Sequence, residues 1–260
     1  MNSTDTNVLK FQCGCPVFVG KDVCALFSPT LREIAEVGYD TFLKYIAVLT
    51  NGKPDAKDAE GNGKEAMKLL AKLTDFQYLI LLAMQDKEVN EIVKSAFRFF
   101  THENVAFSWE PAKIIVGEPV EERIIDEAVY SEFRALLRRM CFIEVSESDI
   151  ILRDDDSEAT RRLKLQMLRN RELVAKAKAR QNRQEESDIQ FTDLVGSVAL
   201  GVSGLNGVVI WDMTYYMFQD QLKRMGWKEQ YQLNQRAALA GAKLKKDQLQ
   251  YWIRTIASDK

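Results

Sequence analysis

Ser28-Pro29-Thr30-Leu31-Arg32-Glu33-Ile34 sets the class of the fold. A proline is tolerated in the first turn of a helix, where its missing N–H would have no intrahelical partner. Thr30 and Glu33 stand at the spacing of a capping box, in which each side chain satisfies the other's orphan backbone N–H. Downstream, Leu31, Ile34, Ala35, Gly38, Phe42, Tyr45, Ile46 and Leu49 recur at helical spacing. The pattern predicts one helix with a buried face, ending at Asn51-Gly52.

On the N-terminal side of this helix, Val17-Phe18-Val19-Gly20-Lys21-Asp22-Val23 reads as a small hairpin. Gly20 at the first position of a two-residue loop suits a type II′ turn between β-branched flanks. On the other side, Lys53–Gly63 is polar and glycine-containing, the composition of an exposed, mobile loop. Lys64–Asp86 carries an apolar stripe (Ala66, Leu69, Leu70, Leu73, Ile80, Leu81, Met84), and Thr74-Asp75 can recap it into two helices. Val89, Ile92, Val93, Ala96, Phe99 and Phe100 predict a further amphipathic helix.

Two short β-prone runs follow, Lys113–Val116 and Val120–Ile125, split by Gly117-Glu118-Pro119. Asp126 can cap the next helix, whose buried face is Val129, Tyr130, Phe133, Leu136, Leu137, Met140 and Cys141. Phe142–Ile151 reads as a last strand-like segment or a loop. Residues 1–153 are thus expected to form an α-helical body, a bundle with short β-hairpins.

The composition then changes. Asp154-Asp155-Asp156 and Glu158 precede Arg161–Arg183, where nine Lys/Arg face one acid, Glu172, a net charge of +8. Acids favour a helix N-terminus through the macrodipole, so Ser157–Glu186 is expected to be mostly one helix. Its apolar seam is thin (Leu163, Met167, Val174, Ala177, Ala179), which makes residues 154–188 a solvated, charged linker helix.

Residues 189–260 are expected to form a small helical C-terminal domain, and they hold three of the four Trp residues. Phe191, Leu194, Val195, Val198 and Ala199 give a short helix stopped by Gly201 and Gly204. A second helix is expected over Asp212–Met225, a third over Glu229–Ala240 with Gly241 as its C-cap, and a fourth over Lys246–Ile256. Trp211, Tyr215, Phe218, Leu222 and Met225 align on one helical face, extended by Trp227 and Tyr231. A domain of this size buries little of its surface and needs large aromatics simply to fold. Aromatics are also enriched where proteins bind one another, so this set divides between core and contact surface.

Composition narrows the function. At 46% hydrophobic and 28% charged residues the chain has an ordinary globular balance. The net charge of −2 argues against a protein that coats nucleic acid over its whole surface. No apolar run reaches the ~18–20 residues that span a bilayer, and Met1–Lys10 lacks the pattern of a secretory signal. The expected location is the cytoplasm. Cys13, Cys15, Cys24 and Cys141 are too few for a disulfide scaffold and lack a second closely spaced pair for zinc, so reduced, partly buried thiols are expected. The single histidine, His102, follows Phe99-Phe100 at a helix end, the place of an exposed or capping residue. Neither a phosphate-binding glycine loop nor a nucleophile elbow is present. No enzyme activity, cofactor or metal is expected.

Ser28–Ile34, followed by Gly38-Tyr39 and Phe42-Leu43, resembles the start of the tail assembly chaperones of long-tailed bacteriophages and related tail-like elements of Gram-positive hosts. Met213–Phe218, then Arg224, Glu229-Gln230-Tyr231, Ala237–Lys243 and Trp252, resembles the C-terminal extension of the long form of that chaperone. The resemblance implies a body that coats the tape measure protein and keeps its hydrophobic helices soluble in the host cytoplasm. It implies self-association or pairing with a short form, recruitment of the major tail tube protein by the extension, and absence from the finished particle. Tyr215, Phe218, Arg224, Trp227, Tyr231 and Trp252 are the candidate partner-binding residues; Tyr215, Arg224 and Tyr231 suit half-exposed positions through their polar tips.

The alternative is a nucleic-acid-binding adaptor working through Arg161–Arg183. Such a helix would lose orders of magnitude in affinity between ~50 and ~200 mM salt if it met six or more phosphates. It lacks interleaved aromatics for stacking on bases. Gel-shift titration at physiological salt is therefore expected to show no tight complex, and a submicromolar, steeply salt-dependent shift would establish the adaptor reading instead.

Overall fold

The computed structural model describes residues 3–52, 72–117, 122–143, 189–202, 204, 206–243 and 251–253. The fold is mainly α with short antiparallel hairpins. The chain divides into two compact units, Met1–Ile143 with Val198–Lys260, and Glu144–Ser197. The expected loop at 53–63, most of the segment at 142–151 and the charged linker helix at 154–188 lie outside the described residues.

In the larger unit, α1 (Ser3–Cys13) leads into a hairpin of β1 (Val17–Val19) and β2 (Cys24–Leu26). The hairpin is antiparallel, but its loop is four residues long, not the two expected: Val19 pairs with Cys24. Gly20, Lys21 and Asp22 all have positive φ. Gly20 also presses against Val129, since a Cβ there would lie 2.8 Å from that side chain. The wider loop lets the hairpin pack on the helix carrying Val129.

Thr30 caps α2 (Leu31–Val37) with the full capping box. The single helix expected from here to Asn51 is two: at Gly38 (φ 84°, ψ 139°) the chain turns and α3 (Tyr39–Thr50) begins. The hydrophobic repeat spans both helices because each buries the same side, so periodicity alone concealed the break. Phe42 is fully buried, with rings of Tyr39, Phe99, Phe100 and Tyr215 around it at 4.9–6.2 Å.

Thr74 starts α4 (Asp75–Gln85) with a second capping box, to Gln77, and Asp86 caps α5 (Lys87–Thr101). His102 ends α5 in the left-handed region and stacks on Phe27 at 4.3 Å. A three-stranded antiparallel sheet follows, β3 (Val105–Ser108), β4 (Lys113–Val116) and β5 (Arg123–Ile125). The sequence pattern gave no sign of β3, a four-residue strand. Ile114, Val116 and Ile125 are buried, whereas Ala106, Ile115 and Ile124 are paired across the opposite face.

Asp126 caps α6 (Glu127–Met140), whose Tyr130, Phe133, Leu137 and Met140 are buried. The Tyr130 hydroxyl donates to the Leu49 carbonyl at 2.9 Å. Arg134 donates to the Thr50 carbonyl at 2.9 Å and to Asp75 at 2.6 Å, and Arg138 also donates to Thr50. Two guanidinium groups thus satisfy the carbonyl end of α3, where the helix dipole favours positive charge.

Beyond the linker, α7 (Phe191–Gly201) contains the division between the two units. A 3-10 turn at Val209–Asp212 then leads to α8 (Tyr215–Leu239). The separate C-terminal domain expected from residue 189 is not what the described residues form. Residues from Val198 belong to the same compact unit as Met1–Ile143. The reason is a set of backbone bonds at the start of α8. Leu31 N donates to Met213 O at 2.9 Å, Tyr215 N donates to Pro29 O at 2.7 Å, and Thr30 and Thr214 form an antiparallel bridge. The helices expected at Asp212–Met225 and Glu229–Ala240 are also one continuous α8, running through Gly226. Gly241 (φ 92°) closes it as expected, with Ala242 N donating to Ala237 O at 3.0 Å.

Burial pushes the phenols of Tyr130, Tyr215 and Tyr216 above their ordinary range. A raised folded value means the native state holds its proton more tightly than the unfolded chain. That stability is complete below the unfolded value of ~10 and is lost as pH rises from there toward the folded values. The melting temperature is therefore expected to hold up to about pH 10 and then to fall. Tyr130→Phe should lower the plateau by about 1 kcal/mol, the worth of its hydrogen bond, and flatten the alkaline decline; thermal melts at stepped pH check both.

Candidate partner-binding surface

Thr214 begins α8 as its N-cap: the side-chain oxygen accepts from Met217 N at 3.2 Å, and the hydroxyl lies 3.2 Å from the Phe11 carbonyl, to which it donates. The first turns are embedded. Tyr215, Tyr216, Phe218 and Asp220 are all buried. Tyr216 sits between Phe11 and Phe142, at ring distances of 5.6 and 4.8 Å. Asp220 keeps only 5% side-chain exposure and accepts from Arg224 one turn on, at 2.9 Å. A buried carboxylate requires such a partner, because desolvation without compensation costs several kcal/mol. Gly201 and Met225 lie so close that a Cβ on the glycine would fall 2.2 Å from the Met225 sulfur. Only glycine fits there.

The sequence explains where this embedding stops. The apolar face Trp211, Tyr215, Phe218, Leu222 and Met225 continues, at the same spacing, as Glu229, Gln232 and Arg236. The helix persists but its core-facing stripe turns polar. From Gly226 to Leu239 no residue is buried. Those fourteen residues extend ~21 Å at the helical rise of ~1.5 Å. Leu233 is 61% exposed and Leu239 is 89% exposed. Gly226, Glu229, Gln230, Gln232, Leu233 and Arg236 line a shallow groove.

Aromatic residues from the end of the chain meet this stretch. The Tyr231 ring packs edge-on against Tyr251 at 5.5 Å, and Tyr251 lies 6.0 Å from Trp252. Gln235 donates to the Tyr231 hydroxyl at 2.9 Å. Tyr251 and Ile253 remain more than half exposed. The helix expected over Lys246–Ile256 lies mostly outside the described residues, and Tyr251–Ile253 are not helical.

The six candidate residues therefore fall into three groups. Tyr215 and Phe218 belong to the core, contrary to the half-exposed position expected of Tyr215. Its ring is consumed by the edge contact with Phe42. Arg224 is half-buried in its ion pair. Trp227, Tyr231 and Trp252 are half-buried on or beside the distal half of α8. Leu233 and Leu239 were missed because the candidates were sought among aromatic and polar-tipped residues; Leu239 stands on the continuation of the stripe that starts at Trp211, beyond its three polar positions. The polar turn of that stripe after Met225 was the legible signal.

A family model described as the YomV second domain, a phage-associated domain, matches residues 180–257. No curated protein and no solved structure matches the chain. Among the described residues no helix is long and apolar enough to cross a membrane.

Arg224→Ala is expected to cost about 2–3 kcal/mol, below the ~3–5 of fully buried pairs because the arginine keeps partial exposure. Leu233→Ala should stay within ~0.5 kcal/mol of the parent. Urea unfolding midpoints distinguish the two halves of α8: comparable losses at both positions would contradict the division at Met225.

Proposed function

We propose that this protein is a phage tail assembly chaperone. Its body holds exposed hydrophobic helices of the tape measure protein, and the distal half of α8 with Tyr251 and Trp252 recruits tail tube subunits. It acts in the host cytoplasm without catalysis, associates with further copies or a short form of itself, and leaves before the particle is complete. The observation that carries this reading is the α8 helix that outlasts its own core, displaying Leu233 and Leu239 on the same half that carries the Tyr231–Tyr251 aromatic contact. Helices whose apolar residues have no core to enter fit recognition by another polypeptide. The match of residues 180–257 to a phage-associated domain supports the setting. The body contributes exposed apolar side chains on separate elements: Phe18 on β1, Leu43 on α3, Met84 on α4 and Ile124 on β5.

Deleting the C-terminal segment cannot test the recruitment step, because Tyr215–Phe218 are part of the core. The informative variant is Leu233→Asp with Leu239→Asp in the full chain, since both positions are exposed. Purified tube protein is expected to be captured by the parent chain and about tenfold or more weakly by the double variant, the range of interface hot spots. Circular dichroism and melting should remain unchanged. Equal capture by both proteins would overturn recruitment through α8. Co-expression with a tape measure fragment examines the body separately: the fragment is expected in the soluble fraction with either chain, and an insoluble fragment beside abundant folded chaperone would overturn the client-binding role.

A further inference from the structure

The four cysteines divide into two kinds. Cys24 and Cys141 are buried; burial pushes the Cys24 thiol up to about 12 and the Cys141 thiol well above its usual range. Thiols so placed are inert, because the thiolate is the reactive form. Cys13 and Cys15 are exposed, and they flank the glycine at which α1 ends.

Gly14 has a φ of +72°. Cys15 N donates to Lys10 O at 2.9 Å and Gly14 N to Phe11 O at 3.4 Å, the bond pattern of a Schellman turn. The left-handed residue between them turns the chain at the helix end, so two exposed thiols stand two residues apart on one turn. The Cys13 thiol donates to the same Lys10 carbonyl at 3.5 Å, and its polar neighbour Cys15 draws Cys13 below the ordinary thiol range while being raised itself. One sulfur is thus prepared to attack and its neighbour to resolve.

The turn is packed without slack against the start of α8. Thr214 Oγ1 donates to the Phe11 carbonyl, which also accepts from Gly14 N. A Cβ built on Gly14 would lie 3.3 Å from Thr214 Cγ2. A disulfide needs its sulfurs ~2.05 Å apart, well inside the contact distance of two thiols. Closing one across Gly14 pinches the turn that meets Thr214.

We propose that Cys13 and Cys15 form a reversible dithiol–disulfide site, oxidised by exchange with a small-molecule disulfide, whose closure loosens the docking of α8 at Thr214. The Cys13 thiolate attacks one sulfur of the small disulfide, forming a mixed disulfide and releasing one thiolate. The Cys15 thiolate then attacks the Cys13 sulfur, releasing the second. The dithiol loses two electrons and two protons, and one small disulfide becomes two thiols. A dithiol reductant reverses the sequence.

The test uses the reduced full-length chain and oxidised glutathione. Intact-mass measurement is expected to show the loss of two hydrogens and no retained glutathione, while Cys15→Ser retains one glutathione on Cys13. Amide exchange at Met217, whose N–H is held by Thr214, is expected to quicken about tenfold on oxidation, as local opening becomes easier. The Cys13→Ser/Cys15→Ser double variant, treated identically, controls for the reagent and should not change. No reaction, or retention of a glutathione on each cysteine, would overturn the site. An internal disulfide that leaves Met217 exchange unaltered would overturn its link to α8.

Discussion

Two threonines that cap helices also join distant parts of the chain, and the architecture follows from that double use. An N-cap residue is not helical; its backbone is extended so that the side chain can reach the N–H groups of the first turn. Thr30 (φ −76°, ψ 159°) and Thr214 (φ −67°, ψ 149°) both adopt this form. Extended residues can pair, and these two do, with Leu31 N on Met213 O and Tyr215 N on Pro29 O completing the bridge. Ser28 Oγ takes Tyr216 N at 3.3 Å, and Arg32 reaches Asp212 at 2.8 Å on the exposed side. The ion pair, more than half exposed on both sides, contributes little. The buried backbone bonds carry the attachment, because leaving such groups unpaired would cost ~1–3 kcal/mol each.

Once Thr214 is fixed, the direction of α8 is fixed too. The helix enters the core with Tyr215 against Phe42, crosses Gly201 at Met225, and leaves because Glu229, Gln232 and Arg236 occupy the face that earlier held aromatics. Helical propensity does not stop at that boundary: Lys, Glu, Gln and Ala are all good helix formers. One element is therefore a structural anchor in its first half and a display surface in its second. The same separation explains why candidate residues chosen by side-chain character mixed core with surface.

Much of the fold was legible in the sequence where a local chemical signal existed. The box at Thr30–Glu33, the new helix start at Thr74-Asp75, the caps at Asp126 and Gly241, and most of the buried face of α6 were read correctly; the box that joins Thr74 to Gln77 was not. The failures share a cause. Gly38 and Gly226 look alike as glycines inside a helical repeat, yet the first breaks its helix and the second does not. Gly38 must turn the chain so that Phe42 enters the core, whereas a Cβ at Gly226 would meet nothing within 4 Å. Tertiary demand decided both cases. The union of residues 198–260 with the body was likewise invisible, since backbone hydrogen bonds between residues about 185 apart leave no pattern in either segment.

The candidate surface was less legible than the fold for a related reason. A contact residue is recognised by what fails to cover it, which depends on where the rest of the chain goes. Tyr215 and Tyr231 are chemically identical, sixteen positions apart on one helix. Tyr215 lies under Phe42, whereas Tyr231 meets the edge of Tyr251 and keeps its hydroxyl on Gln235. What separates them in sequence is not their own identity but the replacement of Leu222 and Met225 by Glu229 and Gln232 along the same face. An amphipathic stripe that ends before its helix does marks the point at which a chain stops packing on itself and presents a helix to something else.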